Sequence, residues 1–125
     1  MIYPAKDLTD YYKAMGYTVA YDNLPDSEVI SFQTISIDPQ AYEYDNEGAH
    51  SHAAIIQARI LRKTHSDLLS AIEMLTSDLD GKTVKLGDTS YDVFVNSVVY
   101  QGVRSTTAGL MRYAVVTIRL HYSED

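Results

Sequence analysis

The spacing of apolar and polar positions divides the chain into short elements. Leu8, Tyr11, Tyr12 and Met15 recur at i, i+3, i+4 and i+7, which predicts a short amphipathic helix from Pro4 to Met15. Pro4 suits a first helical turn, where its missing N–H costs nothing, and Gly16 suits the C-terminal cap. A helix of about three turns is marginal alone and must dock. Thr18–Tyr21 reads as a short strand, and Asp22–Glu28, centred on Pro25-Asp26, as a turn cluster. Val29–Ile37 alternates as a half-buried strand, with Val29, Ser31, Gln33 and Ile35 set against Ile30, Phe32 and Thr34. Asp38–Ser51 has no period, and a connection of that length is usually functional or mobile, so it reads as an exposed acidic arm.

The stretch from Ser51 to Leu86 organises the rest. His52–Lys63 places Ile56, Ala58 and Ile60 on one face and Ile55, Gln57, Arg59 and Leu61 on the other. Neither face is purely polar, as expected of a central strand. Thr64 is a good N-cap with Asp67 three residues on, and Asp80-Gly81 is a stop, which predicts a helix over Ser66–Leu79. Leu68, Leu69, Ile72, Met74, Leu75 and Leu79 form its expected core side, with Asp67, Ser70, Glu73 and Ser77 facing out. Thr83–Leu86 and Tyr91–Val99 flank Gly87-Asp88 as a hairpin. Gln101–Leu110, with two glycines and a Ser-Thr-Thr run, reads as a flexible loop before a last strand over Met111–Tyr122. The order predicts one α+β domain over residues 1–125: a mixed, mostly antiparallel sheet with two helices packed on one face.

Composition narrows the classes. Of 125 residues 46% are hydrophobic, enough for a real core, and no apolar run approaches the ~20 residues of a membrane-spanning helix. No basic start followed by an apolar stretch is visible, so no signal peptide is expected and synthesis in the cytoplasm is the default. The absence of cysteine removes disulfides and thiolate metal sites. The net charge of −7 lies wholly in residues 1–50; residues 51–125 are balanced. No basic stripe of the kind nucleic-acid binding requires stands out. Eleven tyrosines against two phenylalanines and no tryptophan suit half-buried sheet edges and protein interfaces.

Candidate chemistry is sparse. His50 and His52 would share a side of an extended chain near Asp45 and Glu47, with His65 further on, but no third metal ligand is specified. No nucleophile elbow, phosphate-binding loop or dinucleotide fingerprint occurs. Arg59 and Arg62 point to opposite faces of their strand, so with Lys63 they read as a solvated strand end. His121 falls on the less apolar face of the last strand. No catalytic residue, metal or cofactor is assigned. The expected contact residues are Tyr42, Glu43, Tyr44, Asp45 and Glu47 in the acidic arm and Arg104 in the loop 101–110.

The ordered series carries a resemblance: the helix closed by Gly16; Tyr-Asp-Asn-Leu-Pro-Asp-Ser at 21–27; the strand and helix over 52–79; VKLGDTSYDVFVNSVVYQG at 84–102; and YAVVTIRLHY at 113–122. This pattern resembles the tail-terminator or minor capsid (head–tail joining) proteins of tailed bacteriophages and prophages. The resemblance implies a non-enzymatic virion protein at the head–tail junction. It implies a six-subunit ring that caps the tail tube and docks the head through a connector or head-completion protein. DNA would pass through the lumen without specific binding, and an acidic N-terminal half facing the lumen would repel it. The alternatives are another connector or neck component and, from a different class, a small metal-dependent or nucleotide-processing enzyme using His50, His52 and the surrounding acids.

Overall fold

The computed structural model describes residues 3–38 and 50–124. Two helices and six strands follow in the order α1 (Pro4–Ala14), β1 (Val19–Tyr21), β2 (Val29–Asp38), β3 (His50–Arg62), α2 (His65–Leu79), β4 (Lys82–Leu86), β5 (Thr89–Thr106) and β6 (Gly109–Glu124). The strands form one sheet in the order β1-β2-β3-β6-β5-β4. β1 runs parallel to β2, and every other pairing is antiparallel. The fold is therefore α+β, as the pattern predicts.

Each helix forms for local reasons. Pro4 opens α1, and Gly16 closes it in the left-handed region at φ 93°. The amide of Tyr17 then donates to the Tyr12 carbonyl and that of Gly16 to the Lys13 carbonyl, a Schellman closure that satisfies the last turn. The Thr64 side chain accepts from the Asp67 amide at 3.1 Å and starts α2.

Both helices lie on one face of the sheet. Ile30 and Phe32 of β2, Ala54, Ile56, Ala58 and Ile60 of β3, Val116, Ile118 and Leu120 of β6, and Tyr91 and Val93 of β5 meet Leu8 and Tyr12 of α1 and Leu68, Leu75 and Leu79 of α2 in the main core. Tyr12 stacks on Phe32 with ring centroids 5.7 Å apart, and Tyr17 meets its edge. Two buried phenols brace α1. Tyr12 Oη donates to Asp78 of α2 at 3.4 Å, and Tyr91 Oη of β5 donates to Asp7 of α1 at 3.2 Å. Burial, reinforced by those carboxylates, pushes both phenols well above their ordinary value of 10.0.

The helix stripes are narrower than the sequence suggests. In α2 the fully buried positions are Leu68, Leu75 and Leu79, with Ala71 nearly so, whereas Leu69 is 47% exposed. In α1 the buried side is Ala5, Leu8, Thr9 and Tyr12, and Tyr11 and Met15 are exposed. Small residues, Ala5 and Ala71, let each helix settle close to the sheet, which rotates the neighbouring large side chains outward.

The segment 101–110 is not a loop. β5 runs on to Thr106 and β6 begins at Gly109, so Thr107 and Ala108 alone form the turn of a long hairpin. Gly102, at φ 99°, sits where the register shifts between Tyr100 and Gly102, and Gly109, at φ 107°, follows the turn. Both glycines supply backbone shapes that a strand needs at a bulge and a tight turn. The acidic segment is also shorter than expected, because Asp38 pairs with Ala53 and His50 with Glu124.

Candidate subunit interface

The sheet has two unequal ends. At one end β1 pairs with β2 only from Ile30 to Phe32, which leaves the outer side of β2 beyond Gln33 unpaired among the described residues. At the other end β4 pairs with β5 only from Thr89 to Val93. The Asp80 side chain takes the Val95 amide at 2.9 Å. From Asn96 to Thr106 no described strand lies along the outer side of β5. An open edge presents a row of backbone donors and acceptors on which another chain can pair.

The hairpin of β5 and β6 also projects past the rest of the sheet. β3 reaches β6 only as far as Arg62 opposite Arg112, so residues 104–111 pair with each other alone. The register puts Arg104 opposite Met111, and its guanidinium lies 5.9 Å from the centre of the Tyr113 ring. Arg112 donates to the Tyr100 hydroxyl at 3.0 Å. The Thr106 hydroxyl donates to the Gly109 carbonyl at 2.7 Å and accepts from the Ala108 amide at 3.2 Å, which ties the turn.

The face of the sheet away from the helices carries a second, smaller cluster. Val29, Leu61 and Met111 are buried there under Leu24 of the loop 22–28, with Ala20 and Tyr113 beside them. Arg59 holds that loop: its guanidinium donates to the Asp22 carbonyl at 3.0 Å and to the Ser31 hydroxyl at 3.2 Å. Ser31 donates in turn to the Asn23 carbonyl. Arg59 is thus a structural anchor rather than a solvated strand end, and Arg62 does lie on the opposite face. Burial lowers the Arg62 guanidinium from its usual range, and Glu28 and Asp67 partly restore it. These three line an open depression of about 360 Å³ with Tyr17, Ser70, Ala71 and Met74.

Of the expected contact residues, Arg104 is exposed on the projecting hairpin, while Tyr42, Glu43, Tyr44, Asp45 and Glu47 lie outside the described residues. His50 and His52 begin β3, whereas His65 begins α2 beyond its far end. A span of roughly 30–40 Å, at ~3.3 Å per strand residue, separates them, so the three histidines do not share one ion. Among the described residues no group of three or more His, Asp or Glu side chains is placed to hold a metal. His121 lies opposite Ala53 and Asp92 with its ring edge against Phe94. Nothing in the residue pattern signals that Tyr100, Val103 and Leu110 share the hairpin face opposite Arg104, because a loop assignment hides which side chains share a face.

No helix of the described residues is long and apolar enough to cross a membrane. No family model and no curated protein matches the chain. Among solved structures that are similar, one matches at 14% sequence identity with a TM-score of 0.53, covering 96% of this chain and 89% of that one. A likeness at that identity shows a shared fold and nothing more.

Proposed function

We propose that this chain is a structural protein of a tailed-phage or prophage virion. Its subunits form a ring, of six copies, at the head–tail junction. The ring terminates the tail tube, docks the head through a connector or head-completion protein, and lets DNA pass without specific binding. The observation that carries this reading is the pair of open edges at opposite ends of one sheet. A ring needs two different, complementary surfaces on each subunit, and a sheet open at both ends supplies them. The order of elements in the resemblance supports it: an entry helix, a central strand feeding a helix, then a short strand, a Gly turn and two long strands.

The test is assembly on tail tubes. Purified chain added to isolated tubes should bind at one end of each tube, and only capped tubes should then join filled heads. Binding along the whole tube, or head joining that proceeds equally without the chain, contradicts this function.

A further inference from the structure

The projecting hairpin has a face that the folded chain leaves uncovered. Following the register from Tyr100 opposite buried Ala114, the residues Val98, Tyr100, Val103 and Leu110 share the side of the hairpin on which the helices lie. The helices leave them largely uncovered. Tyr100 is 48% exposed, Val103 56% and Leu110 68%. The His65 ring at the start of α2 meets Tyr100 edge-on at 6.0 Å. Leu69 lies one turn along from His65 on the same side of α2. Its exposure therefore extends the same apolar patch from the hairpin onto the helix. Large exposed apolar groups gathered beside an open strand edge mark a contact surface.

Charge identifies what covers it. Residues 93–122 hold Arg104, Arg112 and Arg119 and no acid, so all seventeen acidic residues lie elsewhere in the chain. Residues 14–58 are the complement: seven acids and no Lys or Arg. β3 of the second segment pairs with β6 of the first, so the contrast among the described residues lies between β1–β2 with the loop 22–28 and the projecting hairpin of β5 and β6. Asp22 and Asp26 are exposed and Glu28 half-buried in the loop 22–28 that joins β1 to β2, and Asp22 adjoins the start of the open edge, its amide donating to the Phe32 carbonyl at 2.8 Å. A hairpin-to-hairpin dimer would set Arg112 against its own copy, which opposes association. Hairpin to β1–β2 end matches positive with negative and an open edge with an open edge.

We infer that the hairpin patch of one copy, Leu69, Tyr100, Val103 and Leu110 with Arg112 on the same face, docks on the β1–β2 end of a second copy beside Asp22 and Asp26. The contact is head-to-tail, so each subunit uses one surface to each side. This rests on the ring reading above and gives it its interface. The outer edge of β5 extends the contact through backbone hydrogen bonds to the neighbour's β2.

Two variants test it, one for each surface. Val103→Asp with Leu110→Asp blocks the hairpin; Asp22→Asn with Asp26→Lys blocks the acidic end, asparagine being kept at position 22 because its φ is 69°. All four positions are exposed, so both variants should keep the far-UV spectrum and melting temperature of the parent. Arg112→Glu serves as a milder hairpin variant. Native mass is measured for each alone and for the 1:1 mixture, free and on tail tubes. Each variant alone should need about tenfold or more higher concentration to assemble. The mixture should form a heterodimer and stop there, because each partner retains one working surface. Variants that assemble like the parent, or a mixture that remains monomeric, overturn the interface. If the parent still forms rings in that case, the ring reading stands without this contact. A parent that is monomeric both free and on tubes overturns both. Loss of duplex DNA binding by the hairpin variant with assembly unchanged overturns the interface in favour of nucleic acid as its occupant.

Discussion

Leu68 and Leu69 are adjacent on α2, yet the fold treats them oppositely, and truncating each to alanine tests where the helix faces. Leu68 is fully buried against the sheet, while Leu69 is 47% exposed. Removing three buried carbons forfeits about 2.4 kcal/mol at ~0.8 kcal/mol per methylene. The cavity left in a packed core raises the loss for Leu68→Ala to about 3–5 kcal/mol. Leu69→Ala removes a side chain that stays in contact with water in the monomer, so its cost is about 1 kcal/mol or less. The assay is urea unfolding in dilute solution, where subunits are apart, with equal m-values required for a valid comparison. In concentrated solution the order should reverse for assembly, which Leu69→Ala weakens and which Leu68→Ala affects only through folding. Equal losses for the two variants in dilute solution would refute the orientation of α2, and with it the apolar patch that Leu69 extends.

Three further outcomes are expected. Thr64→Ala removes the oxygen that accepts the Asp67 amide and should cost about 1 kcal/mol, read by thermal or urea unfolding; an unchanged midpoint would show that the cap is replaced by water. Tyr12 and Tyr91 keep their phenol protons to higher pH in the fold than in the unfolded chain. Stability should therefore be level below pH 10 in this respect and fall above it, by up to about 1.4 kcal/mol per pH unit for each; Tyr12→Phe with Tyr91→Phe should flatten that alkaline slope. Gly109→Ala places a Cβ at φ 107°, so it should destabilise the hairpin by about 1 kcal/mol or more and speed amide exchange at residues 103–111 before the core responds.

The sequence made the frame legible where local chemistry acts alone. Pro4, Gly16, Thr64 and the Gly87-Asp88 turn each specify a boundary by their own backbone or side chain, and all are used as expected. It failed where a tertiary partner decides. Leu68 and Leu69 are equally apolar, and only the close approach permitted by Ala71 selects one for the core. Tyr11 and Met15 lose to Ala5 and Thr9 in the same way. The hairpin over 101–110 was hidden because its residues pair by backbone while their side chains stay exposed, which erases the alternation that marks a strand. Arg59 read as a strand-end charge because nothing local shows that the loop 22–28, far away in sequence, folds back onto it. The candidate interface was legible only as a segment carrying Arg104. Its apolar face depends on the strand register, which aligns Tyr100, Val103 and Leu110 on the side opposite Arg104, and on the helix that sets Leu69 on that side.

The measurement that bears most directly on the account is electron microscopy of the purified chain, alone and with tail tubes, matched to its mass in solution. Closed rings with a mass near six times 14.0 kDa, seated at one end of each tube, are the predicted result. A monodisperse 14.0 kDa monomer that neither forms rings nor caps tubes would contradict it.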